Sequence, residues 1–331
     1  MKSNIIIDNS NSDDVLLTIA IPTYKRFDLL KETLRSVFLL EFNIPIEVII
    51  VDNDPDCSEL VLLEMDEFKN ECFVYYKNAE NYGMFGNWNQ CLNLGRGKLI
   101  TILHDDDLLC ENFPYEIEGY LKGVDLNSDI PLVGFGFNIL EQRGGKDKVD
   151  KNIIYKIIKD IFCFYKKHNK KNKTISISLR DLFWGNIFSG TLGVVMERQK
   201  ALSISGFNDK LYPVSDYEFW IRWIENYGVI KFVNTQVSYY RIRENESMKP
   251  EIISKFIEKN YDLRMRIIKG KSNFIENEKD VFLLKKMDEY SFNIAWNRKD
   301  NYNLGWLDTL KFICLKFRCV ITRFFNDYKN K

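Results

Sequence analysis

The stretch "LITILHDDDLL", residues 99–109, runs a short apolar segment directly into His104 and three adjacent carboxylates, Asp105, Asp106 and Asp107. Charges so close repel, and each favours protonation of the others. Clustered Asp oxygens are the hard ligands that Mg²⁺ or Mn²⁺ takes, and such an ion removes the repulsion and lets a diphosphate approach. The competing reading is a solvated acidic turn capping the next helix. No basic residue lies beside the triad to neutralise it. His104, one of only two histidines, reads either as a helper for phosphate or metal-bound water or as a packing residue. A second acidic loop, "DNDPDCSELVLLE", places Asp52, Asp54 and Asp56 at positions 1, 3 and 5 of a calcium loop. Cys57 at position 6 and Leu63 at position 12 break that pattern, so a calcium site is excluded. Asp52 stands at a strand end, where it either accepts a hydrogen bond from a ligand N–H or caps the turn.

These acids need elements to carry them. "LLTIAIPTY" (16–24), "IEVIIVDND" (46–54), "CFVYYKN" (72–78) and "KLITIL" (98–103) read as strands. "FDLLKETLRSVFLL", with Asp28 as its N-cap, "SELVLLEMDEF" (58–68) and "GNWNQCLNLGRG" (86–97) read as helices between them. Trp88, Cys91 and Leu92 share a face of the third, and Gly95 and Gly97 end it. Strand and helix in alternation predict a parallel α/β sheet. Continuously apolar strands fit a sheet covered on both faces. Ligands of such sheets bind beyond the carboxyl ends of the strands, so "PTYKR" (22–26), "DNDPD" (52–56) and "HDDD" (104–107) are expected on one edge. Past residue 110 the alternation weakens. A strand is expected over 130–140, a Lys-rich insertion over 144–173, an acidic turn feeding an amphipathic helix over 206–228, a strand over 230–245, and helices over 251–331. Residues 1–14 read as a loose tail.

Composition narrows the function class. The chain has 331 residues and a formal net charge of zero, 47 basic against 47 acidic. That balance argues against a nucleic-acid binder. Seven cysteines, an odd number without a CxxC, indicate neither disulfide framework nor zinc site, and read mostly as small core residues in a reducing cytosol. No apolar run is long enough to span a bilayer, and the amino terminus lacks a secretory signal, so a soluble or peripheral protein is expected.

Taken together, "IAIPTYKR", "VIIVDNDPD", "NYGMFGNWNQCLNLGRGKLI", "LHDDDLL", "GFNDKLYPVSDYEFWIRW" and "YYRIRENES" resemble the family 2 glycosyltransferases of GT-A fold, in particular the bacterial capsule, O-antigen and lipooligosaccharide enzymes. The resemblance covers most of residues 16–247. It implies a mostly parallel, Rossmann-like sheet flanked by helices, with a catalytic domain over 15–250 (nucleotide half 15–110, acceptor half 111–250) and a helical extension over 251–331. It implies that Pro22, Thr23, Tyr24, Arg26, Asp52 and Asp54 hold the nucleoside. Asn81, Gly83 and Asn89 would shape the wall around nucleotide and sugar. Asp105 and Asp107 would bind Mn²⁺ or Mg²⁺, with Asp106 between them as a further ligand candidate. Asp216 would be the catalytic base, Glu218 the fallback, and Arg222 a support for that acidic pair. Relatives often carry a His after the last strand; here the segment offers Arg241 and Arg243, and Arg243 is expected to face the diphosphate as a bidentate donor. The activity implied is inverting transfer from a nucleotide-sugar, most often a UDP-sugar, to a glycan or lipid-linked hydroxyl.

Two features stand beside this reading. "LRDLFWGNIFSGT" carries Trp184 and Phe188, which either stack on an acceptor sugar or pack in the core. "LDTLKFICLKFRCVITRFFNDYKNK" (307–331) interleaves apolar and basic residues at helical spacing, so it either lies on an anionic membrane surface or packs on the protein. Membrane contact would place the protein at the cytoplasmic face of the plasma membrane. Alternatives are a nucleotide-sugar binder without turnover and a sugar-phosphate nucleotidyltransferase; the second needs a Gly-rich loop that "IAIPTYKRFD" lacks. A Rossmann dehydrogenase is excluded by the missing GxGxxG.

Overall fold

The structure is a computed structural model and describes residues 1–11, 14–56, 58–126, 128, 130–142, 174–243, 249–270, 276–295 and 305–329. The Lys-rich insertion over 144–173 falls outside the described residues. The chain divides into two compact units. One comprises Met1–Gly144, Tyr165–Leu182 and Asn186–Arg243; the other comprises Gly145–Phe164, Phe183–Gly185 and Glu244–Lys331.

The first unit is built on a mixed sheet. In sequence order its strands are β1 (Ser3–Asp8), β2 (Leu17–Thr23), β3 (Ile46–Asp52), β4 (Val74–Asn78), β5 (Leu99–Ile102), β6 (Leu108–Leu109), β7 (Val133–Glu141), β8 (Thr174–Ile177), β9 (Val194–Glu197) and β10 (Ile230–Ile242). In space they run β1-β4-β3-β2-β5-β9-β7-β10-β6, with β8 also paired to β10. Strands β4, β3, β2 and β5 are parallel, as the strand–helix alternation predicts. Around them pass α1 (Phe27–Phe38), α2 (Ser58–Glu64), α3 (Gly83–Leu94) and α4 (Phe113–Leu121). Further on come α5 (Leu179–Phe183), α6 (Arg198–Ser203) and α7 (Ser215–Tyr227).

Every residue of β2 is buried, as expected for a strand covered on both faces. Leu30, Leu34 and Val37 of α1, at helical spacing, join a core that includes Ile19, Ile21, Ile50, Tyr75 and Phe113. Gly97 marks the sharp turn into β5: a Cβ there would lie 2.7 Å from both Thr18 N and Leu99 O.

Three sequence expectations are corrected here. Residues 3–8 are not a loose tail but an edge strand, antiparallel to β4, with Ser3 opposite Asn78. Asp28 does not cap α1; it lies inside the first turn, and the N-cap position is Arg26. Of the four cysteines whose side chains are described, only Cys91 is buried, while Cys72 and Cys314 are exposed.

The described part of the second unit is helical: α8 (Pro250–Gly270), α9 (Glu278–Ala295) and α10 (Trp306–Lys329). Buried Arg264 organises it. Its guanidinium donates to the carbonyls of Phe183 (3.1 Å) and Trp184 (3.3 Å) and pairs with Asp288 at 2.5 Å. Helix α10 packs inside this unit through Phe312 and Leu315, with Trp184 edge-on to Phe312 and the Lys316 amine over the Phe312 ring. Its ion pairs run from Lys286 to Asp308 and from Arg318 to Asp280.

Candidate active site

Register places the acids. Thr23, the last residue of β2, sits opposite Asp52, the last residue of β3, while β5 lies on the other side of β2. The carboxyl ends of these strands therefore converge, and Thr23 joins two of the acidic loops. Its carbonyl accepts from Asn53 N–H (2.9 Å), and its hydroxyl donates to Asp105 (2.8 Å).

The triad is neutralised from elsewhere in the chain, contrary to its bare appearance in the sequence. Arg26 grips Asp105 through Nη2 and Nε, the latter at 3.2 Å, and reaches Asp106 at 3.0 Å through Nη1. From β10, Arg241 donates its backbone N–H to Asp107 (2.9 Å) and its Nε to the carbonyl of Asp106 (2.7 Å). Arg241 is itself buried and paired with Glu32 of α1 at 2.6 Å. Thr33 of the same helix donates to the carbonyl of Asp107. The loop is thus fastened by α1 and β10, far from it in sequence.

Burial pushes the Asp105 carboxyl up to about 6, with Arg26 acting in the opposite sense. Both its oxygens are engaged and the residue is fully buried, so Asp105 turns inward. The group whose ligand atoms do come together is His104, Asp106 and Asp107, all within 4.8 Å of one another. Asp106, the further ligand candidate, thus joins Asp107 in this group among the described residues. Two carboxylates and an imidazole are a donor set that suits Mn²⁺ or Mg²⁺, and these residues fit such an ion.

His104 is more than packing. It stacks on Trp88 of α3 with centroids 5.0 Å apart, and its Nδ1 meets Asp107 at 3.1 Å. The Thr191 hydroxyl donates its single proton to the Ile102 carbonyl (2.9 Å) and lies 3.1 Å from His104 Nε2. That oxygen can only accept there, so Nε2 carries a proton. Burial opposes charge on the imidazole, but Asp107 and its acidic neighbours outweigh it and hold the pKa above the usual histidine range. Gly190 makes room: it adopts φ +59°, and a Cβ would meet His104 Cε1 at 2.6 Å.

On the nucleotide side, Asp52 is buried and already engaged. Lys77 (2.9 Å) and the Tyr75 hydroxyl (3.0 Å) donate to one oxygen, and the N–H of Asp54 donates to the other. Asp54 faces Lys25 at 3.6 Å. Asn53 ties this loop to the start of α3 through Asn81 (2.7 Å) and the Gly83 carbonyl (3.2 Å), and Gly83 itself adopts φ +72°. Pro22 is buried in β2 and Tyr24 is exposed. Asn89 makes a different contact from the one expected: its amide clamps Phe207 through both N–H and C=O (2.7 and 2.8 Å). The neighbouring Asn87 instead braces the strand ends, donating to the carbonyls of Val51 and Thr23.

Asp216 lies in the first turn of α7. It is 8% exposed, and burial raises its carboxyl to about 6, against hydrogen bonds from Tyr217 N–H and Asn186 and the nearby charge of His104. Asn186 donates to it at 2.6 Å. Glu218, the fallback, is buried, and both its oxygens accept from Arg222 Nε (2.8 and 2.9 Å). Arg243 is exposed, and it is Arg241 that joins the acidic loop.

Of the residues singled out in the sequence, the fold brings Thr23, Arg26, the triad and Asp216 into one unit. Sequence reasoning missed Lys77, Asn186, Thr191 and the role of Arg241. These partners lie between 25 and 134 residues from the acids they serve and carry no local signal.

Residues 18–137 match the model of glycosyl transferase family 2. That segment is a glycosyl transferase family 2 domain. The chain is a transferase with a GT-A-like fold. An uncharacterized glycosyltransferase of Methanocaldococcus jannaschii is 25% identical over 266 residues, 80% of this chain and 83% of that one. The Salmonella typhimurium abequosyltransferase RfbV is 32% identical over 120 residues, 36% of this chain and 35% of that one. Among solved structures, S. aureus TarS in complex with UDP-GlcNAc superposes with a TM-score of 0.53 at 13% identity, over 90% of this chain and 79% of that one. The Pyrobaculum calidifontis mannosyltransferase PcManGT, in complex with GDP-Man and Mn²⁺, superposes with a TM-score of 0.52 at 12% identity, over 96% and 84%. At such identities the structural likeness shows the fold.

Proposed function

We propose that this transferase moves a sugar, with inversion, from a UDP-sugar to a hydroxyl of a glycan or lipid-linked acceptor in the synthesis of bacterial surface polysaccharide. The observation that carries the proposal is Asp216: a buried carboxylate, raised to about 6 and held by Asn186, in the same unit as a ligand set of His104, Asp106 and Asp107. A base of that pKa is mostly ionised at neutral pH and strong enough to take a proton from an attacking hydroxyl.

Asp106 and Asp107, joined by His104 through Nδ1 once that nitrogen has given up its proton, would hold Mn²⁺ or Mg²⁺, which supplies Lewis-acid stabilisation to a departing diphosphate. The chain's own residues do the rest. Asp216 takes the acceptor proton, and Asn186 keeps its carboxylate aimed. Arg26 compensates Asp105 and Asp106 until the donor arrives. Thr23, Tyr24, Asp54, Asn81 and Gly83 line the strand ends where the nucleoside would lie, and Arg243 would meet the diphosphate from the end of β10. Attack opposite the leaving group inverts the anomeric centre, so an α-linked donor gives a β-linked product.

Support for a UDP-sugar and for a metal comes from the ligands named with TarS and PcManGT, and support for a surface glycan from the abequosyltransferase. Among the described residues no helix is long and apolar enough to cross a membrane. Helix α10 nevertheless exposes Leu307, Leu310 and Phe317 at helical spacing beside exposed Lys311, a face suited to an anionic bilayer surface and to a lipid-linked acceptor.

A thermal-shift panel of UDP-, GDP- and dTDP-sugars, with and without Mn²⁺, tests this reading on the wild type and on Asp107→Ala. A metal-dependent rise with one UDP-sugar, lost in the variant, is expected. A response to no nucleotide-sugar by the folded protein would overturn the proposal.

A further inference from the structure

We infer that Asn186 is a positioning residue for the base: it fixes the rotamer of Asp216 and favours its ionised form. This rests on the reading of Asp216 as the base. The geometry leaves the amide only one sense. Asn186 Oδ1 accepts from the backbone N–H of Phe188 (3.2 Å), so Nδ2 must face outward, where it donates to Asp216 Oδ2 at 2.6 Å. A terminal amide is otherwise free to flip, and here the Phe188 N–H prevents it.

The short segment that carries Asn186 is tied to α7 at two points one helical turn apart. Asn186 holds Asp216, and the Phe188 ring packs edge-on against Trp220, four residues further along the same face, with centroids 5.2 Å apart. Gly134 of β7 lies directly beneath the Phe188 ring, where a Cβ would come within 2.1 Å of Cε1. Phe188 is therefore fixed on both sides, and with it the turn that aims the amide. The donor is neutral. It orients the carboxylate without forming an ion pair of the kind that Arg222 makes with Glu218, two residues further along α7 and on another face. A cation at position 186 would depress the basicity that burial confers on Asp216; an amide aims it and leaves it basic. The other charged group acting on Asp216 is His104.

The test compares Asn186→Ala and Asn186→Asp with wild type and Asp216→Asn in the full chain. Asn186→Asp preserves shape and the oxygen that accepts from Phe188 but sets a second carboxylate against Asp216, so Asn186→Ala, which removes the donor without adding charge, is read beside it. UDP release from UDP-N-acetylglucosamine and UDP-glucose with Mn²⁺ gives kcat, KM and their pH profiles. Carboxyl NMR of ¹³C-Asp-labelled protein, with the Asp216 signal assigned from Asp216→Asn, follows the titration of Asp216 without turnover. Both Asn186 variants should lower kcat about 10- to 100-fold with donor KM nearly unchanged. They should also move the acid limb and the Asp216 titration to higher pH. An unmoved Asp216 titration, or wild-type kcat in Asn186→Asp, overturns the inference while leaving Asp216 as the base. Full activity in Asp216→Asn overturns the reading of the base, and the inference falls with it.

Discussion

Asp216→Asn should abolish transfer and, at the same time, make the protein more stable. Burial raises the Asp216 carboxyl from 3.8 to about 6 in the folded state. Between those values the folded chain holds a proton that the unfolded chain has released, so stability falls as pH rises through this window and stays reduced above it. Two pH units correspond to about 3 kcal/mol at pH 8. At pH 5, where the folded carboxyl is still largely protonated, the penalty is about half as large. An asparagine removes the ionisation and can turn its oxygen to Asn186 Nδ2, which keeps the 2.6 Å hydrogen bond. Urea unfolding followed by tryptophan fluorescence reports the right region, because Trp88, Trp220 and Trp223 are buried in the same unit. The variant should gain up to about 3 kcal/mol at pH 8 and roughly half of that at pH 5. Equal or lower stability at pH 8, or a gain that grows as pH falls, would refute the reasoning. Wild-type activity should fall on the acid side near pH 6, where Asp216 becomes protonated.

Other perturbations have equally definite outcomes. Arg26→Ala strips compensation from Asp105 and should cost roughly 1–3 kcal/mol, less than for a fully buried pair because Arg26 is half exposed; Mn²⁺ should then stabilise the variant more than the wild type, as thermal shift would show. Lys77→Met leaves Asp52 buried without its cation and should cost roughly 3–5 kcal/mol, most of it recovered in the Asp52→Asn, Lys77→Met double variant on denaturant titration. Gly190→Ala combines a left-handed backbone with a Cβ against His104; a loss of roughly 1–3 kcal/mol and of Mn²⁺ binding by calorimetry is expected. Leu310→Glu with Phe317→Glu should abolish co-sedimentation with anionic vesicles while leaving the melting temperature within a few degrees of wild type.

The central sheet was legible because its strands are unbroken apolar runs and its helices show the 3.6-residue period; β2, β3 and β5 need no partner information to be recognised. The edge strand β1 was not. "SNIIID" stands in a polar, Asn-rich segment, and only its pairing with β4 makes it a strand. At the site, residue type and strand-end position singled out the triad and the "PTYKR" loop, whereas Asp216 was singled out only through the family resemblance. Spacing within "HDDD" did not say which carboxylate turns inward, because that depends on Thr23 and Arg26, about 80 residues away. The same limit applies to "GNWN". The motif is visible, but that Asn87 braces the strand ends while Asn89 clamps Phe207 follows from the helix's rotation against the sheet. Arginines at the end of β10 drew attention to Arg243, which lies just past the strand, whereas Arg241, still within it, donates to the acidic loop.

The first residues of the chain also set terms for anyone who handles it. Lys2 exchanges two backbone hydrogen bonds with the Tyr82 hydroxyl, and Ser3 reaches Asn78 at 2.7 Å and receives Gln90 at 2.6 Å. Asn78 in turn holds Asn53 and Asn87, the residues that brace the nucleotide end of the sheet. Trimming the amino terminus as dispensable, or burdening residues 2–8 with a fusion, would therefore be felt a sheet-width away, as weaker donor binding in a protein that still folds. Labels and tethers belong elsewhere.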